Sequence, residues 1–171
     1  MAEDIIKKTQ FLKLDKFSLL GHSMGGKTAM TVALKHPELL DKLVVVDITP
    51  VEKWLDSQAV KGHSHRDFLT TYLGDGDRRV VWTGKPSLDI IIENIEELIG
   101  FPIALLDLKY NKPALFIKGE NSTCVSDSLF PNTQKIFTNA KLTKIRNAGH
   151  FPHLSNTKDF MEVVLSFLSK P

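Results

Sequence analysis

The run Leu19-Leu20-Gly21-His22-Ser23-Met24-Gly25-Gly26-Lys27-Thr28 spells two overlapping patterns of different chemistry. Gly21, Ser23 and Gly25 fit G-x-S-x-G, a turn that lifts a serine hydroxyl out of a strand-to-helix junction. Gly21, Gly26, Lys27 and Thr28 fit G-x-x-x-x-G-K-[ST], a loop that cradles phosphate on backbone N–H groups. The second pattern has further support, because "LVVVD" at 43–47 is an apolar strand ending in Asp47, where a nucleotide site holds its Mg²⁺. Two features weigh against it. His22 and Met24 are bulky neighbours for a crowded anion, and "NAGHFPHL" at 147–154 supplies His150, which a phosphate loop does not need. A nucleophilic serine does need it, since the hydroxyl is inert at neutral pH until a base takes its proton. The favoured reading is therefore Ser23 as nucleophile and His150 as base, with nucleotide binding as the lesser alternative.

These residues must be brought together by the elements around them. Ile5, Ile6, Phe11 and Leu12 recur at helical spacing and predict an amphipathic opening helix. Phe17–Leu20 reads as a short buried strand, residues 21–26 as a turn, and Thr28–His36 as a helix that Pro37 ends. "KLVVVDITP" at 42–50 is continuous and β-branched, as in a parallel strand covered on both faces. Residues 51–108 look helical or irregular: Ser64 with Asp67 resembles a capping box, "GDGD" at 74–77 a turn, and residues 87–100 a helix. Strands follow at 113–119 and 142–145, with a helix-compatible stretch at 128–137 and a last helix capped by Asn156 with Asp159 at its third position. Alternating strands and helices predict an α/β fold with a mainly parallel sheet, 1–171 as a single domain, and 53–111 as a short helical, lid-like insertion. The carboxyl ends of neighbouring parallel strands open on one rim, where Ser23, Asp47 and His150 can converge.

The base needs a carboxylate to fix its tautomer. The position expected for that acid after the 113–119 strand holds Ser122. Asp47, at the end of the strand next to the elbow strand, is the favoured acid, with Asp89 the chief alternative and Glu120 and Asp127 behind it. The Met24 N–H is one donor for the oxyanion of an acyl intermediate. His63 and His65 have H-x-H spacing, but no Cys or acidic ligands stand near them in metal order, and no metal or cofactor is expected. His22 is expected to pack beside the elbow, and His153 to line a pocket or face solvent. Trp54 and Trp82 are read as core or lid residues. Cys124 reads as an incidental thiol, because no base accompanies it in sequence.

Bulk properties narrow the partners. Twenty-two basic and twenty acidic residues give a net charge of +2, too small to point to nucleic acid or an anionic membrane. A lone cysteine cannot form an internal disulfide, so a reducing, intracellular setting is the plainer expectation. No run reaches the roughly 18 apolar residues of a membrane span, and residues 1–10 carry no signal-like core.

On residues 20–30, 37–40, 44–52 and 147–150, the sequence resembles the α/β-hydrolases, specifically the branch of abhydrolase domain-containing protein 11 and its bacterial esterase relatives. The resemblance implies a carboxylester or lipid acyl ester hydrolase without metal or organic cofactor, cytoplasmic or, in some members, mitochondrial. It also implies strands before the elbow and a loop completing the oxyanion hole. Here the elbow arrives at residue 21. The expectation is thus a partial fold with its first strands missing and activity weakened or lost. Phe17–Leu20 would then be an open edge for a second copy, and a non-catalytic interaction module is the rival reading.

Overall fold

The computed structural model describes residues 1–50 and 100–170, of which 1–50 and 102–170 form one compact unit. The capping box at Ser64, the 74–77 turn, the 87–100 helix except its last residue, and Asp89, His63, His65, Trp54 and Trp82 lie outside the described residues, as does most of the 53–111 insertion.

Helix α1 (Ala2–Phe11) leads to strand β1 (Phe17–His22), helix α2 (Met24–Lys35) and strand β2 (Leu40–Val46). After the segment outside description come β3 (Ala114–Gly119), α3 (Phe130–Ile136), β4 (Ala140–Ile145), the short α4 (Pro152–Ser155) and α5 (Thr157–Leu168). The four strands are parallel, in the order β1-β2-β3-β4. This is the α/β architecture with a parallel sheet that the alternating elements predict.

Strand alternation explains why β2 is apolar throughout. Val44 and Val46 join Leu115, Ile117 and Ile145 in a core against Phe160 and Val164 of α5. Val45 points the other way, toward α2, and its register partner Phe116 packs edge-on against Phe130 and Phe137. With helices on both faces, no position on β2 from Leu43 to Val46 is left for a polar residue. Each such buried side chain contributes about 1.5–3 kcal/mol relative to exposure.

Three local expectations are corrected. The Phe17–Leu20 part of β1 is not buried: its residues alternate between half-buried and exposed, and Leu20 is 45 % exposed, because among the described residues the strand pairs only with β2. Phe11 and Leu12 fall off the buried face of α1, which is carried by Ile6 and Thr9 packed toward α2. β4 begins two residues earlier than its apolar run, at Ala140, because pairing with Ala114 extends it. The C-terminal helix has its predicted cap, with the Asn156 side chain accepting from the Asp159 N–H. Among the described residues no helix is long and apolar enough to cross a membrane.

Gly119 ends β3 where the chain carrying His150 passes over it. A Cβ there would drive into the carbonyl oxygens of Gly149 and Ala148, whereas one on Gly25, in the first turn of α2, would meet nothing within 4 Å. Gly119→Ala is therefore expected to cost about 1–3 kcal/mol and Gly25→Ala to gain about 0.5–1 kcal/mol. At roughly 2–4 °C per kcal/mol for a chain of this size, thermal unfolding followed by circular dichroism separates the two. Equal midpoints would mean that the two backbones do not approach.

Candidate functional site

Ser23 is the one residue between β1 and α2, with φ 53° and ψ −119°. Such backbone costs of order 1–3 kcal/mol and persists only where its surroundings over-determine it. Here the Ser23 N–H donates to the Val46 carbonyl at 2.9 Å, and the Ser23 carbonyl accepts from the Lys27 N–H at 3.1 Å. The turn closes because a Cβ on Gly21 would overlap the Gly25 carbonyl, and one on Gly26 would lie 2.6 Å from Ile48 Cγ2. The tight glycines are thus Gly21 and Gly26; Gly25 offers its carbonyl to the approach but needs no room of its own. The phosphate-loop alternative is not formed. Gly25, Gly26 and Lys27 are already inside α2, and the Lys27 side chain is buried, its pKa lowered to about 8 by desolvation.

Asp47 follows β2 as Ser23 follows β1. It also has positive φ, 54°, and its N–H donates to the Ile117 carbonyl at 2.7 Å. Its carboxylate is fully buried and is held by the Gly119 N–H at 3.1 Å and by the Ser122 hydroxyl. A buried charge requires such donors. The third is the ring of His150: Nδ1 lies 2.8 Å from Asp47 Oδ2, and Nε2 lies 3.1 Å from Ser23 Oγ. With a carboxylate beside Nδ1, that nitrogen carries the proton and Nε2 is left to accept from the serine. Ser23, His150 and Asp47, far apart in sequence, are thus joined by one imidazole. Met24, expected to offer an oxyanion donor, opens α2, and its N–H belongs to the first turn, where amides lack intrahelical acceptors.

The other acids within the described residues go elsewhere. Glu120 accepts from the Asn147 N–H at 3.0 Å, and Asp127 pairs with Lys144 at 2.6 Å on the surface. Asp89 lies outside the described residues.

Two neighbours were not foreseen in this arrangement. Ser122 stands where a carboxylate was looked for and instead donates to one, while its Oγ accepts from the Cys124 N–H at 3.2 Å. Cys124, expected to lack a base, has its Sγ 3.4 Å from His150 Nδ1. Burial and the nearby Asp47 push that thiol up to about 12, so it is protonated and no nucleophile at neutral pH. Asp47, Cys124 and His150 bring a carboxylate oxygen, a sulfur and a ring nitrogen within 4.8 Å of one another.

His150 is also held from its backbone. His22 Nε2–H donates to the His150 carbonyl at 2.7 Å, and the His22 ring lies 4.7 Å from that of His150, 5.1 Å from Phe151 and 4.9 Å from His153. Desolvation by burial lowers the pKa of His22 below its ordinary 6.5; burial, together with the neighbouring His150, does the same to His153. The unfolded chain consequently takes up these protons first, and the associated stability is present above pH 6.5 and lost as pH falls through the lowered values. Denaturant titrations at successive pH values should show this decline. In His22→Phe it should be shallower, on a baseline about 0.5–1.5 kcal/mol lower for the lost hydrogen bond. A His22→Phe slope as steep as wild type would place the proton uptake elsewhere.

Comparison with known proteins places this geometry in a family. Residues 1–84 match a family model described as the alpha/beta hydrolase fold. The mouse sn-1-specific diacylglycerol lipase ABHD11 is 34% identical over 99% of this chain and 64% of its own length. A Haemophilus influenzae protein named as a putative esterase/lipase is 30% identical over 99% of this chain and 66% of its own. Among solved structures, a marine microorganism esterase superposes with a TM-score of 0.79 at 29% identity, over 97% of this chain and 75% of that one. The chain thus spans about 64% of the length of the first of these relatives. Sequence and fold together establish that the chain belongs to the α/β-hydrolase family, with its relatives in the ABHD11 branch.

Proposed function

We propose that this chain carries the nucleophile, base and acid of a serine ester hydrolase acting on carboxylesters, including acyl esters of lipids. The observation that supports this best is the His150 ring bridging Ser23 Oγ at 3.1 Å and Asp47 Oδ2 at 2.8 Å. Ser23 Oγ attacks the ester carbonyl while His150 Nε2 takes its proton. Asp47 stabilises the resulting imidazolium and keeps the proton on Nδ1 until Nε2 passes the other to the leaving alkoxide. The Met24 N–H faces the charge that develops on the carbonyl oxygen. Water then repeats the sequence on the acyl-enzyme. The lipid part of the proposal draws on the mouse relative, whose name specifies a diacylglycerol lipase.

A fluorophosphonate probe tests the assembled nucleophile directly. Wild type should be labelled and Ser23→Ala should not. Asp47→Asn should reduce hydrolysis of p-nitrophenyl acetate by about 10⁴, as expected when the base is left in the wrong tautomer. A folded wild-type chain that takes no label would favour the non-catalytic module instead.

Ser122 acts through Asp47 rather than on substrate. A hydrogen bond to a charged group contributes about 1.5–3 kcal/mol. If half or more of that is needed to hold Asp47 in place, Ser122→Ala should lower kcat by roughly tenfold with little change in KM. A change confined to KM would remove Ser122 from the positioning of the acid.

A further inference from the structure

Nδ1 of His150 is shared by two neighbours of different chemistry. On one side is Asp47 Oδ2 at 2.8 Å, on the other Cys124 Sγ at 3.4 Å. The three ligand atoms lie within 4.8 Å of one another, and two of the three residues are buried. We infer that Asp47, Cys124 and His150 form a binding site for a thiophilic divalent cation such as Zn²⁺, and that filling it switches the serine centre off. The second half of this inference rests on the hydrolase reading above; the first does not.

The donor set is one zinc favours: thiolate, imidazole and carboxylate. Bonds of about 2.0–2.1 Å to nitrogen and 2.3 Å to sulfur, meeting at a tetrahedral angle, place those atoms roughly 3.5 Å apart. The Nδ1 to Sγ separation of 3.4 Å already meets that requirement. The carboxylate must open by about half an ångström, because hydrogen-bonded atoms sit closer together than two ligands of one ion. Ser122 Oγ, bonded to the same carboxylate, or a water can complete the tetrahedron. His150 retains 15% side-chain exposure, which gives the ion a way in. None of this was legible as a metal motif, since positions 47, 124 and 150 have no local ligand spacing.

Inhibition follows from the tautomer. In the proposed catalytic state Nδ1 carries the proton and Nε2 holds the lone pair facing Ser23. A cation on Nδ1 requires the lone pair there. As the Sγ–metal bond forms, the S–H bond breaks and that proton leaves to water. The Nδ1 proton is likewise displaced, and Nε2 takes one up, so the imidazole remains neutral in its other tautomer. One proton is released overall. With Nε2–H facing it, Ser23 has no base, and Asp47 is committed to the metal.

The test exploits the chain's single cysteine. Co²⁺ added to the full chain should give a thiolate-to-cobalt charge-transfer band that saturates at one equivalent and is displaced by Zn²⁺. Only Cys124 can supply that thiolate, so cobalt held by other histidines does not imitate it. The band should vanish in Cys124→Ser and Cys124→Ala, with circular dichroism confirming that at least one of the two is folded. Fluorophosphonate labelling of wild type should fall as Zn²⁺ is added, and the half-inhibiting concentration should rise at least tenfold in the folded variant. Absence of the band on the folded wild-type chain would overturn the site, and equal zinc sensitivity in wild type and variant would overturn the switch. A band on a chain that takes no label without metal would uphold the cation site and remove the hydrolase reading.

Discussion

The site depends on strands that run parallel and end in step. His22 of β1 is the register partner of Val46 of β2, and Val46 is that of Ile117 of β3. The residue just past each of three strands hangs on the carbonyl of the next strand: Ser23 on Val46, Asp47 on Ile117, and Glu120 on Ile145. This stepped ladder carries the serine, the acid and the loop bearing Ser122 and Cys124 to one rim. Because side chains alternate along a strand, a slip of one residue in β2 would turn Val44 and Val46 away from α5 and carry Asp47 off its Ile117 bond. The apolar core therefore sets the register of Ser23 and Asp47 as well as the stability of the fold.

Strain at the rim is affordable only because the ladder is there. Ser23 and Asp47 both have φ above 50° without being glycine, at about 1–3 kcal/mol each. Against this stand the backbone bonds at the N–H and carbonyl of Ser23 and at the N–H of Asp47, and the three donors that satisfy the buried carboxylate. Stripping a buried charge of a partner costs several kcal/mol, more than either backbone would gain by relaxing. The balance favours the strained geometry, and it does so at the two residues whose side chains must leave their strands sharply to reach His150.

What was legible in the sequence follows from how local each signal is. Ser23 lies in a strand, turn and helix that occupy consecutive residues, and His150 sits between the last strand and the C-terminal helices, so both positions could be read from pattern alone. Asp47 required an inference about neighbouring strands, and the structure places its carboxylate 2.8 Å from His150 Nδ1. By contrast, the contacts of Ser122 and Cys124 depend on the path of the loop after β3, where no periodicity constrains the chain. The exposure of β1 could not be read from its own residues, since Phe17-Ser18-Leu19-Leu20 has the same composition whether or not a neighbour covers its outer side; the open edge followed only from the family resemblance. An apolar run reports that a strand exists; its place in the sheet is set by chain that lies elsewhere.

The position of the acid explains the serine opposite it. Two strand ends, those of β2 and β3, point at His150 Nδ1, and either could present a carboxylate. Both could not, because two carboxylates sharing one buried site cannot both remain ionised. With Asp47 supplying the charge, the residue at 122 must be neutral, short enough to fit and able to donate. A hydroxyl meets all three conditions, and it adds a donor to a carboxylate that has no access to water. Ser122 and Asp47 are in this sense one acid divided between two strand ends, the charge on one and its hydrogen-bond support on the other.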